Sequence, residues 1–229
     1  MEIINYILDF ILNLDQHLFK LVLDYGVWIY TILFLIVFME TGLVVMAFLP
    51  GDILLFTAGT FCAGVQNDVG QTAELNLLIT LSVLLIAAIL GDGVNYYLGK
   101  NLGLKLLNWK INDKPIVNPK YIMKTNEFYK LHGPKTIITA RFLPIIRTFA
   151  PFVAGIGEMP YATFIRYNVV GAFIWVFSLV FLGYYLGSFA FVKNNFEIII
   201  LGIIAASLFP IIMELFMNKK NLKNKAYKL

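Results

Sequence analysis

Long apolar runs separated by short polar stretches dominate this 229-residue chain. Residues 27–39, 77–90, 173–186 and 198–209 are almost wholly apolar. With their flanks, several of these runs reach the roughly 20 residues that a helix needs to cross a bilayer. Residues 3–23 read differently: Asn5, Asp9, Asn13, Gln16, Lys20 and Asp24 recur every three or four positions. That spacing gives one polar stripe on an otherwise Ile-, Leu- and Phe-rich helix, the pattern of a helix lying at the membrane interface. A poor first span is the alternative. Gly26 marks its stop.

Two apolar segments are interrupted. The first, 28–49, carries Glu40, ends at Pro50-Gly51-Asp52 and resumes over 53–63, a piece too short to span. The second, 136–157, holds Arg141, Pro144, Arg147 and Pro151 before Gly155 and Gly157. Short apolar pieces around a helix breaker suit a re-entrant hairpin. Full spans are expected at 75–99, 162–187 and 198–217. Between them lies a hydrophilic stretch, 100–135, with eight lysines against Asp113 and Glu127. Asn118-Pro119 and Gly133-Pro134 predict a short surface helix there, with Ile122, Phe128 and Leu131 toward lipid.

Charge sets the topology. The lysine-rich stretch and the tail from 218, with five lysines, are both expected on the cytoplasmic side. They share a side only if 136–157 turns back rather than crosses. One span then separates the two hairpins, which enter from opposite faces. The predicted fold is an all-α membrane protein: an N-terminal interfacial helix over 1–26, two opposed re-entrant hairpins and about three full spans, forming one membrane domain with inverted repeats.

Composition agrees. The chain is 59% hydrophobic and 14% charged, with a mean hydropathy of +0.78. Soluble domains carry about a quarter charged residues. The net charge of +4 falls in the two lysine clusters, which points to topology and anionic lipid rather than nucleic acid. Cys62 is the sole cysteine, so neither a disulfide within the chain nor a cysteine-rich metal site is expected. No basic n-region follows Met1-Glu2, so no cleaved signal peptide is expected. Helical spans place the chain in a plasma or inner membrane.

Glu40, Asp52, Arg141 and Arg147 are the anomaly. Each ionised side chain near a bilayer centre costs roughly 2.5–3.5 kcal/mol, so four unpaired ones cost about 10–14 kcal/mol. Opposed hairpins would bring the two acids to the two bases. A purely structural ion-pair cluster is the bland reading, but buried ion pairs stabilise poorly against apolar replacements. A polar cavity is the sharper one. Guanidinium forks suit phosphate, half-helix N-termini add N–H donors, and a carboxylate in low dielectric takes up a proton.

At these residues the chain resembles the DedA family, also described as SNARE-associated or VTT-domain membrane proteins. The resemblance runs from about residue 28 to 187 in three blocks. They are Glu40-Thr41-Gly42 with Phe48-Leu49-Pro50-Gly51-Asp52; Gly91-Asp92 with Tyr96, Gly99 and Gly103; and Arg141-Phe142-Leu143-Pro144 with Arg147, Pro151, Ala154-Gly155 and Met159, continuing through Phe164, Asn168, Gly171-Ala172 and Trp175. The resemblance implies two facing re-entrant helices and links to proton-motive force, envelope integrity and cationic-peptide resistance. It also implies movement of undecaprenyl phosphate or phospholipid, or scrambling as in eukaryotic relatives. The family's essential acids fall on Glu40 and Asp52, and its essential arginines on Arg141 and Arg147.

The functional expectation is a proton-linked transporter of an anionic lipid phosphate, with Arg141 and Arg147 on the headgroup and Glu40 and Asp52 as proton-sensitive counter-charges. Its partners are membrane lipid and protons; no cofactor, metal or nucleic acid is called for. Supporting residues are Pro50, Gly51, Asp92, Pro144, Gly155 and Asn168. Asp92 either meets an arginine or cavity, or sits at a solvated helix end. The amide of Asn168 orders the arginine hairpin rather than touching ligand. Gly99/Gly103 and Gly183/Gly187 fit small-xxx-small packing faces. An uncoupled scramblase or a small-ion exchanger uses the same parts. A lipid phosphatase would need acid–base histidines, and His17 and His132 lie far in sequence from both hairpins.

Overall fold

The computed structural model describes residues 14–43, 51–66, 71–108, 110–111, 114–115, 119–187 and 189. Eight helices dominate these residues: α1 (Leu14–Tyr25), α2 (Trp28–Gly42), α3 (Gly51–Cys62), α4 (Leu77–Asn108), α5 (Pro119–His132), α6 (Thr136–Ala140), α7 (Pro144–Ile156) and α8 (Tyr161–Gly187). Two antiparallel ladders of two residues per strand, Val65–Gln66 with Thr72–Ala73 and Lys110–Ile111 with Lys114–Pro115, only close loops. Pro50, residues 1–13 of the predicted interfacial helix, the predicted span 198–217 and the basic tail lie outside the described residues.

Two helices are long and apolar enough to cross a membrane, over Leu77–Gly103 and Tyr161–Gly187, each 27 residues. At 1.5 Å per residue each is about 40 Å long, more than the roughly 30 Å hydrocarbon core. Helix α4 runs on to Asn108, past the expected end at Gly99, because Gly103 continues its packing face onto Ile156 of α7. Gly26 does end α1: it takes φ +48°, a left-handed turn that suits glycine. Val22 of that helix reaches the core, so α1 is docked on the bundle by one face.

Both segments are interrupted, but the first helix ends earlier than the predicted Pro50-Gly51-Asp52 break, and Gly51 and Asp52 open the next helix. Helix α2 stops at Gly42, where Leu43 turns extended. In the second segment the break is at Arg141-Phe142-Leu143. Leu143 is extended (φ −118°, ψ 104°), as the residue before a proline prefers, and Pro144 restarts the helix at a position where its missing N–H costs nothing. The chain thereby places Arg141 at the break and Arg147 in the first turn of α7.

The packing interlocks. Helix α2 lies on α4 and α6 lies on α8, while α3 crosses to α8 and α7 crosses to α4. Glycines set both crossings. A side chain on Gly59 would strike the backbone of Val180, and one on Gly183 would strike that of Phe56. Gly99 faces the backbone of Phe152 in the same way, and Gly155 that of Tyr96. Gly99 and Gly103 stand as far from the start of α4 as Gly183 and Gly187 do from the start of α8. Small residues let helix backbones approach where lipid supplies no hydrophobic drive between helices. The predicted small-residue faces are therefore the two central contacts of the bundle.

Helix α5 begins and ends where Asn118-Pro119 and Gly133-Pro134 predict. Its orientation departs from the expectation at Ile122 and holds at Leu131, and the side chain of Phe128 lies outside those described. Ile122 is buried against Phe149, Phe152 and Val153 instead of facing lipid. Leu131 and Met123 are exposed. Tyr129 fixes the docking by donating its hydroxyl to the Ala150 carbonyl at 2.9 Å. Burial pushes that phenol's pKa up, so it stays a donor.

Candidate functional site

The two breaks and the two long helices meet at a small cavity of about 10 Å³, room for about one water, lined by Thr41, Asp92, Arg141, Arg147, Thr148 and Trp175. Arg147 is its centre. The guanidinium forms an ion pair with Asp52 of α3 at 2.6 Å and a second, close ion pair with Glu40 of α2. Glu40 is fully buried, whereas the Asp52 side chain is 23% exposed. Gly51 explains how α3 approaches α2: its N–H donates to Glu40 Oε1 at 3.2 Å, and a methyl group on it would collide with that carboxylate. Asp52 is also held by Trp175, whose Nε1–H donates to Oδ1 at 2.9 Å.

Arg141 is placed differently from expectation. Among the described contacts it pairs with neither Glu40 nor Asp52. Its Nη2 donates to Asp92 Oδ2 and to Asn168 Oδ1, both at 2.6 Å. Asn168 is oriented in turn by its Nδ2–H donating to the Ile89 carbonyl of α4 at 3.1 Å. Gly171 leaves room for the arginine stem, which lies 3.2 Å from where a Cβ would stand. Asp92 is thus an interior residue midway along α4, and the solvated helix end is ruled out. The electrical balance changes with it. The cluster holds Glu40, Asp52 and Asp92 against two arginines, so the fully ionised set carries one net negative charge.

Trp175 ties the halves together. Its ring lies 5.6 Å from the Arg141 guanidinium carbon and 5.3 Å from that of Arg147, within cation–π range. Three groups escaped sequence reasoning, Thr41 and Thr148 in the cavity lining and Asn95 behind them. Asn95 donates through Nδ2 to the carbonyls of Thr41 at 3.0 Å and Thr148 at 2.8 Å, joining α2 to α7 across α4. It stands three residues after Asp92 in an apolar helix, a spacing that puts both on one face and is readable in the sequence. Thr41 lay inside a quoted motif without a role of its own, and Thr148 had no signal beyond its place beside Arg147. Gly155 serves the α4–α7 crossing rather than the cavity.

Glu40 Oε2, Asn95 Oδ1 and Arg141 Nε are buried without a hydrogen-bond partner among the described residues. Buried polar atoms are nearly always paired. Two of these three belong to charged groups of the cluster, and Arg141 lines the cavity directly. Such a site has unmet demand for a polar ligand or water.

The VTT domain model matches residues 49–185. The protein DedA of Escherichia coli K12 is 49% identical over 220 residues, covering 96% of this chain and 97% of that protein. The chain belongs to the DedA family of VTT-domain membrane proteins. The inner membrane protein YghB of E. coli K12 is 32% identical over 190 residues, 82% of each chain. The uncharacterized membrane protein Rv0364 of Mycobacterium tuberculosis is 38% identical over 176 residues, 77% of this chain and 74% of its own. No solved structure matches. The matched region spans α3 to α8 and so includes Asp52, Asp92, Arg141, Arg147 and Asn168, while Glu40 lies before it.

Proposed function

We propose that the protein moves an anionic lipid phosphate headgroup across an inner membrane, with proton uptake by the carboxylates of the cluster. The lipid is undecaprenyl phosphate or a phospholipid. The observation carrying this reading is a buried arginine, Arg147, shared by two acids from two different helices beside a small cavity that both arginines line. Shared counter-ions are exchangeable ones. A phosphate entering the cavity competes with Asp52, the most exposed member, for the same guanidinium. A carboxylate released into low dielectric is stabilised by a proton. With three acids and two bases, one proton also makes the closed cluster neutral. Moving one net charge through 100 mV is worth about 2.3 kcal/mol, so proton uptake both neutralises and drives the step.

The architecture supports an alternating mechanism. We read α2–α3 and α6–α7 as re-entrant hairpins entering from opposite faces, each followed by a span, α4 or α8. The reciprocal crossings, α3 on α8 and α7 on α4, fit an inverted repeat, in which the site lies where the repeats meet. The lipid tail stays in the bilayer while the headgroup passes between the hairpins. No covalent step is part of this reading, and the lysine-rich stretch 100–135 and the tail are taken as cytoplasmic.

The test is reconstitution of the full chain in vesicles with labelled undecaprenyl phosphate and phospholipids, with and without a pH gradient. Arg147→Ala and Glu40→Ala are expected to abolish lipid movement while still inserting. Normal translocation by both variants refutes the site. Movement indifferent to the gradient favours scrambling, and ion flux without lipid movement favours exchange.

A further inference from the structure

Arg141 and Arg147 share one cavity and one indole face, yet their charges are used differently. Arg147 is balanced by acids on the two helices of the first broken segment, one of them reached by solvent. Arg141 is balanced by Asp92, whose side chain is 6% exposed, and is clamped from the other side by Asn168. That clamp spans both long helices and closes on itself, since Asn168 also holds the Ile89 carbonyl one turn before Asp92. Displacing Asp92, or the fully buried Glu40, as an ionised group would leave a buried carboxylate without its cation, which is far costlier than displacing the solvent-touched Asp52. The charge of Arg141 is therefore cancelled whether or not a headgroup is present. Its Nε–H is buried and has no acceptor, so the residue still has a directional donor to offer.

We propose that Asp92 is a specificity-determining residue: by cancelling Arg141 it leaves the cavity one effective guanidinium charge, that of Arg147, and so selects a singly charged phosphate headgroup over a doubly charged one. The inference deepens the transport reading and rests on it. The charged groups around the cavity are Arg141 and Arg147 on one segment, Glu40 and Asp52 on the other, and Asp92 on α4 between them. A headgroup with one negative charge matches Arg147 once both shared acids are protonated. A second negative charge finds no uncancelled cation and leaves a net charge in low dielectric, where Coulomb energies are large. The accepted class is a phosphodiester, or a phosphomonoester that keeps one of its protons. Arg141 supplies geometry to that headgroup through its donors, and Arg147 supplies charge.

The experiment compares two lipids of different charge in vesicles holding the full chain. Phosphatidylglycerol is a diester with one charge. Phosphatidic acid is a monoester that is doubly charged at about pH 8.5, well above a second ionisation near 6 for a phosphomonoester. The unaltered protein is expected to move phosphatidylglycerol at least about tenfold faster at that pH, with the gap narrowing near pH 5. Asp92→Asn keeps an oxygen for Arg141 and removes the charge, so the ratio of phosphatidic acid to phosphatidylglycerol movement rises about tenfold. Asn168→Asp adds a carboxylate on the other side of Arg141 and lowers that ratio. The double exchange Asp92→Asn with Asn168→Asp restores it. Rates that fall together for both lipids, with the ratio unmoved in each single variant, overturn the proposal and leave the clamp a purely structural one. Equal movement of the two lipids at about pH 8.5 by the unaltered protein overturns it without any variant. Movement of neither lipid overturns the selection, and movement of neither together with none of undecaprenyl phosphate overturns the transport reading itself.

Discussion

Arg147 and Arg141 come from one broken segment, six positions apart, and end in opposite electrostatic situations. Arg147 has more counter-charge than it needs, from two helices, with one acid open to solvent. Arg141 has one matched acid and a neutral amide, and its partners sit on the long helices that frame the bundle. The difference follows from the break between them. Arg141 precedes the extended Leu143 and points along the α4–α8 contact, whereas Arg147 follows it and meets α2 and α3. On the proposed mechanism, the excess of acids makes the Arg147 site exchangeable and the closed network makes the Arg141 site fixed. Charge inside a membrane is therefore informative through its partners rather than its presence.

The comparison breaks most sharply under charge removal. Arg147→Ala strips the buried Glu40 of its cation and is expected to cost about 3–5 kcal/mol of stability, read as thermal unfolding in micelles. Adding Glu40→Ala to that variant should recover at least about 1 kcal/mol. The same second change added to Arg141→Ala should recover nothing, whereas Asp92→Ala should; recovery by Glu40→Ala in both backgrounds would mean that the arginines form one undivided site. Next in size, Trp175→Phe keeps the ring near both guanidiniums and deletes the N–H bond to Asp52, at about 1.5–3 kcal/mol for a bond to a charged acceptor. Transport should fall further in that variant than in Tyr129→Phe, because only Trp175 touches the exchangeable half.

The two glycine crossings give a comparable pair. Gly183→Val and Gly99→Val each press a side chain into a backbone, at about 1–3 kcal/mol. Similar losses of thermal stability support equivalent crossings; a loss at only one of them shows that the bundle depends on a single helix pair. The smallest effect is Tyr129→Phe, which removes one hydrogen bond between α5 and α7 and should cost about 0.5–1.5 kcal/mol. A drop of several kcal/mol there would move the structural centre of the bundle toward α5.

Much of this molecule was legible in one dimension. The apolar runs marked α4 and α8, Pro144 and Pro151 marked a second broken segment, Gly26 marked the end of α1, and four charges in apolar sequence marked the site; only the structure puts the break at Pro144, with Pro151 inside α7. Those features are local: hydrophobic length, a proline's missing N–H and a glycine's freedom act within a few residues, so the chain alone states them. The orientation of α5 was not legible, since Ile122 and Leu131 are equally apolar and only the position of α7 decides which is covered. Asn95 was half legible, as a polar residue near Asp92, but its two acceptors belong to other helices.

What the sequence by itself determined is that buried charge exists here and must be balanced. Which acid balances which base was decided only by tertiary structure. Asp92 and Arg141 are far apart in the chain, and so are Asp52 and Arg147. No local rule relates them. They meet because small residues on α4 and α8 let two helices cross within backbone contact, and pairing inside a low dielectric is set by distance after that crossing is made.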